Sequence, residues 1–521
     1  MQVLDLSNSL TLDDVIAVAY GRAHPVLGPD ALAKVLAARA VIDAYLADPE
    51  VPRYGINTGF GALAEVVVPP DKLAQLQQNL IRSHAAGVGE PLPTPVVRIL
   101  MLLRAAVLAR GHSGVRPVVV QTLCAMIERG VHPRVPAQGS VGASGDLAPL
   151  AHLALVLTGE GQASYQGQAL TGAEAMARAG IEPVVLSAKE GLSLINGTQA
   201  MTAIASIALY ETEILLKSAD IVGAMTVEAQ LATRRAFDAR ITALRPHPGA
   251  IAVANNLRLL TDASPLIASH AGPWDHKVQD PYSIRCMPQV HGAVRDAVAF
   301  ARQILEVEIN AVTDNPLVYP EAWHAGMDAA DVIVSGGNFH GQPVSIACDA
   351  ARLALTSLLS MSERRIEQLV NPALSSGLPP FLSRDSGLNS GFMIAQVTAA
   401  ALVSECKGLS TPSSIDSIPS SANREDHVSM GPIAARRWQD IVWAGHRVVA
   451  IEWLCAAQGI DLRSPLQPGV LTGTAHRRLR QVVPVLDQDR ELHGDIEVAA
   501  QLIASGELLR TVQEQSGLRL Q

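Results

Sequence analysis

Aromatic residues are scarce in this sequence: Phe, Trp and Tyr together make up 3% of 521 residues. Sheets draw on aromatic and β-branched side chains, whereas Ala and Leu, abundant here, favour helices. Cysteine is scarcer still. The five, Cys124, Cys286, Cys348, Cys406 and Cys455, are odd in number, far apart and in no C-x-x-C pair. That excludes a disulfide framework and a zinc cage, and it suits a reducing cytoplasm in which they serve as small buried hydrophobes. There is no basic tract either: 40 Lys and Arg are spread among 49 Asp and Glu, for a net charge of −9. Neither nucleic acid nor an anionic membrane finds a surface to bind. Apolar runs such as LAPLAHLALVL stop well short of the roughly 18 residues of a membrane span. Residues 1–20, MQVLDLSNSLTLDDVIAVAY, lack the basic start and apolar stretch of a secretory signal, and Thr11 with Asp14 matches a capping box that opens a helix. The expectation is a soluble, cytoplasmic protein acting on a small molecule, with no nucleic-acid and no membrane partner.

What is present is a large apolar content, 48% of the chain, enough for one large core or a few coupled domains. Apolar residues recur at three and four in 153–157, 201–216, 294–309, 346–370 and 393–409, which predicts helices. The segment IACDAARLALTSLLSMSERRIEQLV is small or apolar nearly all round until SERR, as a helix inside a bundle should be. The fold class is therefore mainly α, a large helical bundle. Between the helices lie loops rich in Gly, Pro and Asn that also carry amides, hydroxyls or charges, the profile of segments holding a site on a rigid scaffold. Soft boundaries near residues 110 and 475 divide the chain into an N-terminal helical and loop region (1–110), a central bundle (111–475) and a C-terminal helical tail (476–521).

The most unusual stretch is QGSVGASGDLAPLAH, residues 138–152, where glycines crowd the threshold of an apolar helix. A phosphate loop needs Lys then Ser or Thr after its last Gly, but Gly145 is followed by Asp146 and Leu147. A nucleophile elbow needs G-x-S-x-G, and Gly142-Ala143-Ser144-Gly145 is one residue short. A third option uses the backbone itself. If the Gly145 nitrogen reached the Ala143 carbonyl, a five-membered ring would close, and loss of water from it and from Ser144 would leave an exocyclic methylidene. Glycine offers no Cβ to obstruct that approach, and the strain has to be held by the scaffold. A metal centre has no support: Glu425, Asp426, His427 and the Pro-flanked His247 lack ligand spacing.

Taken in order, YGINTGFG, GSVGASGDLAPLAH, LINGTQ, QDPYSIRC, EINAVTDNP, GGNFHGQP, GLNSGFMIAQVTAAALVSE and SANREDHVSM run over nearly the whole chain. They resemble the family of aromatic amino acid ammonia-lyases and aminomutases. The resemblance implies a fumarase/aspartase-like fold, a long central helical bundle with a smaller N-terminal loop-and-helix region carrying the electrophile nearby. It implies that Ala143-Ser144-Gly145 matures autocatalytically into methylidene-imidazolone (MIO), with no external cofactor. It also implies a homotetramer whose active sites combine loops from three subunits. The chemistry has a physical need for such a group, since eliminating ammonia requires removal of a weakly acidic β-proton and expulsion of a poor leaving group.

Carried over residue by residue, the resemblance assigns Tyr54 as general base. Lowering a tyrosine from about 10 to about 7 takes on the order of 4 kcal/mol of local electrostatics, from cations or backbone donors. Tyr282 matches a second active-site tyrosine, and Arg285 the arginine that pairs with the substrate carboxylate, a role suited to a planar fork of donors. Asn196 and Gln279 match amides around the electrophile and substrate, and Phe339 a ring packed beside it. Asp146 either positions the glycine-rich loop or caps the helix that follows. Viewed alone, each has an ordinary structural reading as a turn, loop or core residue. Substrate choice falls on Ser83-His84 and Glu425, which resemble those of histidine-acting members. A carboxylate accepts an imidazole N–H, and facing a benzene ring it would stay unpartnered at a cost of several kcal/mol. The expectation is elimination of ammonia from L-histidine to trans-urocanate. The alternative is an ammonia-lyase or 2,3-aminomutase acting on tyrosine, phenylalanine or a substituted analogue, to which Gly341, Gln342, Met287 and Trp274, departures from the usual pattern, bear relevance. A fumarase-like lyase without the modified triad and a non-catalytic helical scaffold are the other classes.

Overall fold

In the first helix, Leu12–Ala19, the capping box is formed: Asp14 N donates to Thr11 Oγ1 at 3.1 Å, and Thr11 N to Asp14 Oδ2 at 3.0 Å. The computed structural model describes residues 1–47, 52–59, 66–272 and 277–521. Trp274 and the last two residues of YGINTGFG, Phe60 and Gly61, lie outside the described residues.

Helices dominate, and the segments with strong apolar periodicity lie in them. The helix expected at 153–157 begins earlier, at Leu147, because Pro149 falls in the first turn, where its missing N–H has no partner to lose. The expected 201–216 and 294–309 lie within Gln199–Ala229 and Met287–Glu308, and 346–370 within Gln342–Val370, while 393–409 is Met393–Leu409. The added length of Gln199–Ala229 carries buried acids, which apolar periodicity does not register. Asp220 accepts from His291 and Asn256 at 2.8 and 2.9 Å, and Glu228 accepts from Gly469 N at 2.8 Å. Helix Gly431–Leu462 has no apolar signature at its start, where Arg436, Arg437 and Asp440 stand.

Contacts divide the chain into two compact units: Met1–Ile207, Arg302–Asp349 and Pro412–Arg436 form one, and Ala208–Ala301, Ala350–Thr411 and Arg437–Gln521 the other. The expected breaks near 110 and 475 fall at the C-terminal end of helix Thr94–Ala109 and inside helix Val470–Arg480. Among the described residues every strand belongs to the first unit. Gln2–Asp5 runs parallel to Ala23–Val26, and Val131–Pro133, Gln162–Tyr165 and Gln168–Thr171 make an antiparallel sheet. Leu317–Val318 pairs with Ile333–Val334, and Val88–Pro91 with Pro136–Gln138. The last pair matters for the site, because Pro136–Gln138 leads directly into the glycine-rich stretch.

The second unit is helical, with parts of the long helices joined by Met393–Leu409 and by Val470–Arg480, His493–Ala504 and Glu507–Ser516. Its interior holds a fully buried ion pair, with Arg365 Nε donating to Glu452 Oε1 at 2.6 Å. Thr226 and Ser362 hydroxyls donate to the same carboxylate at 2.8 and 2.6 Å, so one acid ties together three long helices. A buried charge so fully partnered tolerates burial, whereas a lone one would not.

Candidate active site

The glycine-rich stretch turns sharply. Gly139, Gly142 and Gly145 have φ of +125°, +66° and +74°, a region that side chains with a Cβ rarely adopt. At Gly145 the reason for glycine is also steric, since a methyl group there would lie 2.2 Å from the Gly197 carbonyl oxygen. Gly145 and Gly197 form an isolated parallel bridge, and Asp146 N donates to Gly197 O at 2.7 Å. On the other side Met430 N donates to Val141 O at 2.9 Å, and Ser429 Oγ to Gly142 O at 3.0 Å. The Ala143–Gly145 segment is thus gripped from both flanks. Asp146 stands at the N-cap position of Leu147–Leu157 but makes no side-chain cap there. Its Oδ2 accepts from Met201 N at 2.8 Å, in the first turn of Gln199–Ala229. The carboxyl is fully buried, and burial pushes its pKa up to about 7 against the opposing backbone donors. Of the two sequence readings of Asp146, loop positioning describes its side chain and the plain cap of the following helix does not.

Tyr54 sits in a turn closed by Arg53 N donating to Asn57 Oδ1 at 2.7 Å. Ile56, 1% exposed, anchors that turn in a cluster with Val41, Ile42 and Val318. Gly55, at φ +73°, approaches helix Glu190–Ile195 so closely that a methyl group would lie 2.7 Å from Leu192 Cδ2. Next to this contact runs Lys189, fully buried, its Nζ 3.1 Å from Asp314 Oδ2 and 2.8 Å from Ser193 Oγ. Burial lowers the Lys189 ammonium pKa while Asp314 opposes the shift. Arg104, also buried, is pushed down to about 10 and stays charged at neutral pH; it donates to Asn196 O at 2.8 Å and Gln199 Oε1 at 2.9 Å. Asn196 is 3% exposed, with Nδ2 bonded to Asn315 O at 2.9 Å and Oδ1 a buried acceptor with no partner among the described residues.

Glu425 is held by a loop in an uncommon conformation. Ser421, Ala422 and Asn423 take φ of +48°, +53° and +64°, between reciprocal backbone bonds of Ser420 and Glu425. Three such residues in a row cost conformational energy and mark a position whose geometry is enforced. Ser144 Oγ donates to Glu425 Oε1 at 2.9 Å, and Ser420 Oγ to Oε2 at 2.6 Å. Tyr54, Ala143, Ser144, Phe339 and Glu425 line one cavity of about 360 Å³. Five residues chosen from sequence therefore meet around one space, with Gly145 and Asn196 immediately behind it.

Others stand elsewhere. His84 ends helix Leu73–His84 and bonds through Nδ1 to Leu80 O at 2.8 Å; it is not part of the cavity wall. Gln279, Tyr282 and Arg285 belong to the second unit. Gln279 is exposed, Tyr282 is 70% exposed with the Arg285 guanidinium carbon 4.6 Å from its ring centre, and Arg285 Nε has no hydrogen-bond partner among the described residues. Sequence reasoning assigned no role to Asn315, Arg424 or His427, which also line the cavity, nor to Lys189, Arg104 and Asp314. TDNP was visible as a loop signal for Asp314 and Asn315; the buried cations carry no local signal.

A hydroxyl-bearing triad under backbone constraint, a tyrosine and a carboxylate thus face one pocket on a mainly helical scaffold. The chain belongs to the aromatic amino acid lyase family, whose model matches residues 10–481. It is 57% identical over 507 residues to a histidine ammonia-lyase of Anaeromyxobacter sp. (strain K), covering 96% of this chain and 98% of the relative. The crystal structure of histidine ammonia-lyase from Trypanosoma cruzi matches with TM-score 0.90 at 42% identity, over 99% of this chain and 96% of that one. Tyrosine aminomutase from Streptomyces globisporus matches with TM-score 0.91 at 36% identity, over the whole of both chains. The fold therefore does not separate the two substrates; the site residues have to.

Proposed function

We propose that the protein eliminates ammonia from L-histidine to give trans-urocanate, with the electrophile formed autocatalytically from Ala143, Ser144 and Gly145. The residues present fit that group: no Cβ at Gly145 blocks the approach, both flanks are clamped, and Asn196 Oδ1 is a buried acceptor with no partner among the described residues. Methylidene-imidazolone, once formed by loss of two waters, supplies an electrophilic carbon. Tyr54, on the cavity wall, takes the β-proton, and the buried Lys189 side chain runs beside Gly55 of its turn. Phe339 packs against the substrate and excludes water. Glu425 accepts the imidazole N–H, and Ser420 keeps its other oxygen occupied. Arg285, Gln279 and Tyr282 come from neighbouring subunits of a homotetramer, the arginine pairing with the substrate carboxylate. A cytoplasmic location is part of this reading, supported by Cys124, Cys406 and Cys455, buried as thiols.

The observation that carries the choice of histidine is the Glu425 carboxylate 2.9 Å from Ser144 Oγ, inside the pocket. Ring formation expels the Ser144 hydroxyl, and a phenyl ring would then leave that oxygen of Glu425 without a donor. Ultraviolet assays with L-histidine, L-tyrosine and L-phenylalanine test the proposal. Urocanate from histidine, with at most traces of coumarate or cinnamate, is expected. Coumarate or a β-amino acid as the main product, without urocanate, would reassign the chain to tyrosine chemistry.

A further inference from the structure

One side chain occupies the place where three glycines meet. Met201, fully buried in the first turn of Gln199–Ala229, packs its thioether against Gly142, Gly341 and Gly431. A methyl group on Gly341 would lie 2.4 Å from Met201 Sδ and 2.5 Å from Cε. On Gly431 it would lie 2.5 Å from Sδ, and on Gly142 3.2 Å from Cε. Separations near 2.5 Å are far inside van der Waals contact, so the thioether fills room that the absent β-carbons leave open. The glycines come from three different segments. Gly142 directly precedes Ala143, Gly341 closes the stretch that carries Phe339, and Gly431 follows the stretch that carries Glu425.

The same junction is tied by hydrogen bonds. Ser429 Oγ donates to Gly142 O at 3.0 Å and accepts from Gly431 N at 3.2 Å, while Ser345 Oγ donates to Ser429 O at 2.7 Å. Met201 itself donates its N–H to Asp146 at 2.8 Å, on the far side of the triad. One residue therefore meets both flanks of Ala143–Gly145 and the segments bearing Phe339 and Glu425.

We infer that Met201 is a positioning residue for the lyase reaction, its thioether setting the mutual spacing of Ala143–Gly145, Phe339 and Glu425, and that position 341 is glycine because this wedge needs the space. The inference rests on the function proposed above. Methionine is well suited to such a wedge, because an unbranched, polarizable side chain fills an irregular socket without a fixed branch point. Close-packed interiors pass a displacement on to their neighbours, and a misplacement of about 1 Å at a reacting group costs on the order of a hundredfold in rate.

The test is a cycle of four full-length proteins, the parent, Gly341→Ala, Met201→Ala and the double variant, with Met201→Leu as the conservative control. kcat and KM for L-histidine and the melting temperature are measured for each. Gly341→Ala is expected to lower kcat by about tenfold or more with KM within about twofold, because the added methyl drives the thioether and the loops apart. The double variant removes the clash and regains most of that loss; Met201→Leu stays within about threefold of the parent. Should Gly341→Ala fail to fold, a folded and active double variant is itself the rescue. A Gly341→Ala protein with parental kcat, a double variant no better than Gly341→Ala, or losses confined to melting temperature would each overturn the inference. A parent that does not act on histidine brings down the proposed function, and the inference with it; a fully active parent with unresponsive variants brings down the inference alone.

Discussion

Glu425 has two hydroxyls on one carboxylate, Ser144 on one oxygen and Ser420 on the other. A carboxylate can only accept; if the proposed ring forms, the Ser144 hydroxyl leaves as water, and an imidazole N–H supplies the donor that a phenyl ring lacks. Glu425→Gln keeps the shape and converts half of that acceptor into a donor. Turnover of L-histidine is expected to fall by about a hundredfold while the discrimination against L-phenylalanine narrows, as ratios of kcat/KM for the two substrates will show. Unchanged discrimination would remove Glu425 from substrate choice. At this scale much of the site was legible. Ser144, Tyr54, Phe339 and Glu425 are residue types whose chemistry is peculiar to them, set in motifs of unusual composition, and they line one cavity. Lys189, Arg104 and Asp314 were not legible, because a charge that ends up buried and paired is written in the sequence no differently from one that faces water. His84 bonds its own helix instead.

Elements extend where burial of polar groups is compensated, which periodicity alone does not reveal. Met393–Leu409 could be read to its ends, being mainly apolar through its first half. Gln199–Ala229 could not, since its length depends on partners for Asp220 and Glu228 that lie far away in sequence. Nor could the Asp146 bond to the start of that helix be foreseen, because the nearer helix offered a local explanation. Gln199–Ala229 also carries Glu211, whose carboxyl burial pushes up to about 7 from 4.5. An acid raised in the fold stabilises while protonated: the contribution is complete below 4.5 and is lost as pH rises through about 7. Glu211→Gln removes a buried charge at pH 8, where it should raise stability by about 2 kcal/mol, and should have much less effect near pH 4.5. Thermal melts at the two pH values check this. Equal gains at both would show that the carboxylate is not penalised by its surroundings.

For the whole molecule, mainly helical architecture followed from scarce aromatics and abundant Ala and Leu, but the division into units did not. Each unit gathers stretches far apart in sequence, and a linear reading of composition finds only consecutive segments. The distribution of site residues has a consequence at the same scale. Tyr54 lies on the cavity wall, whereas Arg285 belongs to the other unit, its Nε without a partner among the described residues. If the site is shared between subunits as proposed, Tyr54→Phe and Arg285→Ala, each nearly inactive alone, should complement when co-expressed, restoring about a quarter of the parental activity from random mixing in a symmetric oligomer. No recovery in mixed assemblies would confine both residues to one chain.

Ala143–Gly145 is clamped on both flanks, and the proposed chemistry depends on its conversion to a ring. Peptide-level mass spectrometry of active, proteolysed protein reads it most directly. A fragment spanning residues 143–145 should be lighter than its sequence mass by two waters. Fully active protein in which that fragment keeps its unmodified mass would refute the ring.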